Sequence, residues 1–188
     1  MLNPERVAAF HRDGFVLGDQ VLSDGEVEEL RQELDRVIDN YQDDTKPQPV
    51  RIANLGGDEQ APVWQIVNMW QASQPFRLLT HHPKIVAEVA QLLSAQELRV
   101  WHDQVQYKPS GTGGITGWHQ DSPAWPNIAP KTTQISSWVA LDDVDESNGC
   151  MSMVVGSHKW GVVRGVFPHG RHFDQMPDEF EGIKLEVR

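Results

Sequence analysis

The chain has 188 residues, 39% hydrophobic and 23% charged, enough to bury one ordinary core without staples. Its 16 basic and 27 acidic residues leave a formal charge of -11, which argues against a nucleic-acid or anionic-membrane partner, since either needs a basic patch, and makes a polyphosphate-bearing substrate less suited. Cys150 is the single cysteine, so no intrachain disulfide can form. The opening MLNPERVAAFHRDGF has no signal-like apolar stretch and no run reaches membrane-span length, so the expectation is a cytoplasmic protein.

In chain order, Asn3 is placed to cap a first helix with Pro4 at its first position and Gly14 at its end. Phe15 to Leu17 reads as a short strand. Ser23 and Glu26 have capping-box spacing, and Val27, Leu30, Leu34, Val37 and Ile38 form one apolar stripe, which predicts an amphipathic helix over 24–40. Residues 42–49 read as a surface loop. Val63 to Trp70 has strand composition, and two short helices follow, one after Ser73 and one from Pro83 through Leu93. Leu98 to Tyr107 reads as a strand, Ser110 to Gly114 as a Gly-rich turn, and Thr133 to Leu141 as another strand. Asn148-Gly149 is a turn leading into Met151 to Val155. Helices first and strands after imply an α+β domain with a sandwich or jelly-roll core. The chain reads as one domain over 1–188, with 1–97 mainly helical and 98–188 the start of the β-core.

Three His-x-Asp pairs occur, His11/Asp13, His119/Asp121 and His172/Asp174, where chance supplies about 0.6 of them. On extended backbone such a pair presents both side chains on one face. With a second histidine it makes a facial triad whose open positions admit a bidentate co-substrate and dioxygen at iron(II). His11 falls at the end of a predicted helix, where residues i and i+2 do not face each other. His172/Asp174 lies in a polar stretch that reads as a loop. His119/Asp121 follows the Gly-rich turn and is flanked by Trp118, Pro123 and Trp125, so it is the metal-site candidate; an ordinary hydrogen-bonded His–Asp pair is the competing reading.

Five ordered pieces now carry a resemblance. They are Asp13-Gly14-Phe15-Val16; Asp103 to Pro109 (DQVQYKP) with its Gly-rich turn and Trp118-His119-Gln120-Asp121; Ser137 to Asp143 (SWVALDD); Asn148 to Met151 (NGCM); and Gly156 to Gly161 (GSHKWG). Together they resemble the phytanoyl-CoA dioxygenase family, which includes ectoine hydroxylase-like enzymes. The resemblance implies a double-stranded β-helix (jelly-roll, cupin-like) core with N-terminal helices packed on it. It also implies an iron(II)- and 2-oxoglutarate-dependent dioxygenase that hydroxylates a small organic molecule with O2. His119 and Asp121 match the family's iron-binding pair. Gln104 and Gln106 match a strand lining the 2-oxoglutarate pocket, and Trp138 a position beside that co-substrate. His158 matches a structural turn position. Retention of Asp121 speaks against halogenation.

The family's second iron-binding histidine and its carboxylate-gripping arginine, suited to that task by its bidentate fork, come later than Gly156-Ser157-His158. Neither is recognisable before Glu186-Val187-Arg188, and His169 and His172 stand in unmatched surroundings. The expectation is a part of a longer oxygenase that lacks its C-terminal strands. The alternatives are a chain using His169 or His172 as substitute ligand, or a non-catalytic, cupin-like metal- or small-molecule-binding protein. Substrate identity and oligomeric state are not readable.

Overall fold

The computed structural model describes residues 1–55, 58–114, 116–125, 130, 133–163, 179–180 and 183–188. Helix α1, Pro4–Asp13, begins where Asn3 accepts the amide of Arg6 at 2.8 Å. It ends at Gly14, whose φ of 93° is a left-handed cap that a side chain would resist. Helix α2, Asp24–Asp39, opens on the reciprocal capping box: Ser23 Oγ accepts the Glu26 amide, and the Glu26 carboxylate accepts the Ser23 amide at 2.8 Å. Its stripe buries Leu30, Leu34 and Val37.

That stripe lies against a three-stranded antiparallel sheet, order β1-β2-β3, of Arg51–Asn54, Trp64–Val67 and Gln104–Tyr107. The register pairs Ile52 with Ile66 and Ile66 with Val105, so one apolar row crosses all three strands toward α2. Ile66 and Met69 are 0% exposed and join Leu22, Leu30, Leu34, Val37, Ala72 and Phe76 in one cluster. A 3-10 turn at Met69–Gln71 leads into α3, Gln74–Leu79, and then α4, Pro83–Leu93. Arg36 of α2 donates to the Ala72 carbonyl at 2.7 Å, tying α2 to the start of α3. The Gln91 amide both accepts from the Leu2 N–H and donates to the Leu2 carbonyl, each at 2.9 Å, and so docks the N-terminus on α4. A small hairpin, β4 (Glu179–Phe180) and β5 (Ile183–Lys184), comes near the end of the chain.

The predicted helices stand where the sequence placed them, and several strands are shorter. Phe15 to Leu17 is not a strand: Leu17 is 83% exposed, and its carbonyl is taken by Arg6. The strand expected over Val63–Trp70 stops at Val67 because Asn68 adopts left-handed φ and ψ of 56° and 51°. The same bend shortens the strand expected over Leu98–Tyr107. The Asn68 amide donates to the Asp103 carbonyl at 2.9 Å, and the ladder begins only at Gln104. Strand β1 was not anticipated, since Arg51-Ile52-Ala53-Asn54 alternates too briefly to register.

Thr133 to Leu141 forms no strand among the described residues. Its alternation reflects Val139 and Leu141 packing on the α2 core, with Arg31 of α2 donating to the Leu141 carbonyl at 2.7 Å. Met151 to Val155 pairs with the chain terminus. Val154 bridges Val187, the Met153 amide donates to Arg188 O at 2.7 Å, and the Arg188 amide donates back at 2.9 Å. The architecture is therefore mixed helix and antiparallel sheet; a complete jelly roll is not displayed by the described strands.

Candidate metal centre

The Gly-rich turn does what its composition suggests. Gly113 N–H closes it onto the Pro109 carbonyl at 2.9 Å, and Gly114 N–H reaches the Pro62 carbonyl at 3.2 Å. A Cβ at Gly114 would lie 2.5 Å from the Ala61 carbonyl oxygen, so only glycine lets the chain pass this close to the residues leading into β2. The stem of Lys108 fills the space between Gly113 and Gly149, and burial holds its ammonium pKa below the usual lysine value.

Beyond the turn, His119 Nε2 stands 3.2 Å from Asp121 Oδ1. His119 Nδ1 lies 2.8 Å from the Gly117 carbonyl. A carbonyl only accepts, so Nδ1 carries the proton and the neutral ring turns the lone pair of Nε2 toward Asp121. Two acceptor atoms at this distance need a cation between or beside them. A proton is one answer: the Asp121 hydrogen bond raises the imidazole pKa, against the opposing effect of burial, with Gly117 adding to the rise. A divalent metal is the other, and a backbone carbonyl on the far nitrogen is how ligating histidines are commonly oriented. About half of each side chain stays exposed, 54% for His119 and 50% for Asp121, leaving room for further ligands. The donor set thus fits a metal on two corners. Among the described residues no group of three ligating side chains occurs.

A cavity of about 90 Å³ adjoins His119, lined also by Trp118, Gln120, Ser152, Ser157 and Trp160 among others. Among the described residues the buried indole Nε1 of Trp118 has no hydrogen-bond partner, which makes it a donor available to a ligand oxygen. Gln104, Gln106 and Trp138 are not among the residues that line this cavity. Gln104 and Gln106 share the exposed sheet face opposite the Ile52–Ile66–Val105 row, and Gln104 Oε1 accepts from Gln65 at 2.9 Å. Trp138 is 45% exposed. Among the described residues, no hydrogen bond or ring contact joins these three to His119 or Asp121. Trp118, Gln120 and Trp160 lie inside the motifs that carry the resemblance, yet the sequence assigns them no role at the site, and Ser152 lies outside those motifs.

Of the competing His-x-Asp pairs, His11/Asp13 is engaged otherwise. Asp13 is buried and its carboxylate is gripped by Arg12 Nε and Nη2 at 2.8 and 2.7 Å, which lowers its pKa, while His11 meets Phe10 edge-on. His172, Asp174 and His169 lie outside the described residues. The Gly156 turn docks on α1: its N–H donates to the Asp13 carbonyl at 2.7 Å, and the His158 ring occupies the space a Cβ on Gly14 would need. His158 is therefore a packing group, and the Asp13-Gly14 and Gly156-Ser157-His158 motifs meet in space.

The sequence model of the phytanoyl-CoA dioxygenase (PhyH) family matches residues 10–188. The ectoine dioxygenase of Halomonas elongata is 25% identical over 185 residues, covering 97% of this chain and 54% of the relative. The peroxisomal phytanoyl-CoA dioxygenase of Bos taurus is 25% identical over 169 residues, covering 85% and 48% respectively. Among solved structures, the non-heme alpha ketoglutarate dependent carbocyclase SnoK from nogalamycin biosynthesis superposes with a TM-score of 0.69 at 28% identity, covering 84% of this chain and 58% of that one. The chain thus spans about half the length of the curated relatives it matches. The chain belongs to the phytanoyl-CoA dioxygenase family.

Proposed function

We propose that this chain carries the metal-binding part of an iron(II)- and 2-oxoglutarate-dependent dioxygenase that hydroxylates a small organic molecule, with His119 and Asp121 as two of the protein ligands. The observation that carries it is the convergence of His119 Nε2 and Asp121 Oδ1 at 3.2 Å, with Nδ1 committed to Gly117. Bound iron(II) with 2-oxoglutarate would supply oxygen activation for attack on an unactivated C–H bond. The protein's own tasks are to hold the imidazole in one tautomer, keep the carboxylate beside it and shield the cavity. Trp118 Nε1 offers a buried donor on one wall. Gln104, Gln106 and Trp138 are assigned to the co-substrate side on the strength of their family positions. The helices of residues 1–97 would pack on a jelly-roll core carried mainly by residues 98–188, with β1 and β2 joining its sheet through β3; the superposition on SnoK supports this reading. The third ligand and the arginine for the distal carboxylate are unassigned. A cytoplasmic setting is consistent with a structure in which no described helix is long and apolar enough to cross a membrane.

The test is iron(II)-dependent release of succinate from 2-oxoglutarate by this chain and by any longer form that contains it. Asp121→Ala should abolish turnover in whichever form is active; turnover that survives this substitution would sink the ligand assignment. The two-ligand set among the described residues also supports a second reading, a metal- or small-molecule-binding protein of the same fold. Metal binding without 2-oxoglutarate consumption in every form would favour it.

A further inference from the structure

Gln120 stands between the two ligand candidates, and both the nitrogen and the oxygen of its side-chain amide are engaged. Nε2 donates to the Gly161 carbonyl at 2.8 Å, and Oε1 accepts the Val163 N–H at 2.7 Å. One side chain thereby makes the pair of bonds that a neighbouring strand would otherwise make with residues 161–163. This matters because, among the described residues, no backbone–backbone hydrogen bond joins 116–121 to another segment. The Gln120 amide is therefore the principal polar tie between the ligand-bearing stretch and the rest of the fold.

The far end of that tie is itself anchored. Residues 161–163 continue directly from the Gly156–Trp160 turn, which is fixed to the end of α1 through Gly156 N–H on the Asp13 carbonyl and Lys159 Nζ on the Arg12 carbonyl at 3.0 Å. The Asp13 carboxylate, held by Arg12 and flanked by Arg188 at 3.6 Å, secures that helix end. A line of hydrogen bonds thus runs from α1 through the turn to Gln120, and on through one peptide bond in each direction to His119 and Asp121.

We propose that Gln120 is a positioning residue: its amide clamp on Gly161 and Val163 sets the spacing and direction of His119 and Asp121, and it acts through them rather than as a metal ligand. The proposal rests on the metal reading of that pair. Gln120→Met keeps the length of the side chain and removes both bonds. Gln120→Glu keeps the acceptor for Val163 and removes the donor to Gly161. Two readouts on the full chain test the idea. The first is hydrogen exchange at the Val163 amide, expected to be at least tenfold faster (roughly) in Q120M, with Q120E between it and the wild type. The second is cobalt(II) binding followed by absorbance, with affinity expected to fall by about 10–100-fold in Q120M, the range typical of groups that orient metal ligands. Thermal melting should shift by only a few degrees.

Unchanged Val163 exchange in Q120M overturns the clamp whether or not metal binds. Faster exchange with unchanged cobalt(II) affinity shows the clamp to be structural only and overturns the positioning role. A wild-type chain that binds no cobalt(II) overturns the metal reading instead, and the exchange result then separates that failure from failure of the clamp. If Q120M does not fold, Q120E carries both tests with smaller expected changes.

Discussion

The two parts of the molecule are held by different means. In the first, residues 1–107, four helices and a three-stranded sheet close over Ile66 and Met69, and the backbone bonds are made inside regular elements. In the second, residues 108–163, almost no regular element occurs among the described residues, and segments are tied by isolated backbone bonds such as Gly156 to Asp13 and by side chains reaching backbone: Gln120 to Gly161 and Val163, Arg31 to Leu141, Lys159 to Arg12. The first part carries the stability and the second the candidate chemistry. Side-chain ties can aim two ligands without building a strand for them, and each tie is one substitution from being lost.

The largest effect expected from this contrast is on stability, in the first part alone. Ile66→Ala empties a fully buried site in the middle of the sheet and should cost about 2–5 kcal/mol, read from the midpoint of denaturant unfolding. A loss under 1 kcal/mol (roughly) would mean the core is more adaptable than its packing implies. Gly114→Ala, at the boundary, sets a methyl 2.5 Å from the Ala61 carbonyl and should cost about 1–3 kcal/mol. Because the turn delivers the chain to His119, this variant should also weaken metal binding, which Ile66→Val should leave alone.

Ser23→Ala removes half of the capping box on α2 and should cost about 1 kcal/mol, measured the same way. His119→Ala is predicted to be silent by that measure, within about 0.5 kcal/mol, because the side chain is half exposed, yet to abolish the cobalt(II) binding proposed for this site. Stability that fell as far as in the core variant would erase the division between the two parts.

The smallest effect is a pH dependence. Burial raises the pKa of Asp103, partly offset by hydrogen bonds from the Trp70 and Asp103 amides. A raised carboxyl pKa means that the ionised form is disfavoured in the folded state. Asp103 therefore subtracts stability above its folded pKa, and that penalty fades as pH falls through the folded value toward the unfolded one near 3.9 (about). Asp103→Asn should be more stable than the wild type at neutral pH and no more stable in strong acid, compared by melting at several pH values. A constant difference across pH would show that the carboxylate carries no burial penalty.

Much of this was legible in the residues. The Asn3 and Ser23 caps, the Pro4 and Pro83 starts and the 3.6-residue stripe of α2 are local signals, and the helices they announce formed within a residue or so. Strand ends were not legible, because they depend on partners: Val63–Trp70 is cut by the left-handed Asn68, and Thr133–Leu141 alternates for a helix rather than for a ladder. At the site, the pairing of His119 with Asp121 could be suspected from their spacing and their setting after a Gly-rich turn. The competing pair at His11 and Asp13 is disfavoured by its helical spacing alone, and the structure adds that Arg12 takes the Asp13 carboxylate.

The amino-acid order alone determined the helices, the caps, the charge balance and the family, because each is written in residue types at short range or in motifs that keep their order along the chain. Tertiary structure decided where those motifs meet. That Asp13-Gly14 receives Gly156 and His158, and that Gln120 spans 41 residues to reach Gly161, are long-range contacts with no periodicity to announce them. They form because buried or half-buried amides and carboxylates must find partners wherever the folded chain brings one within reach.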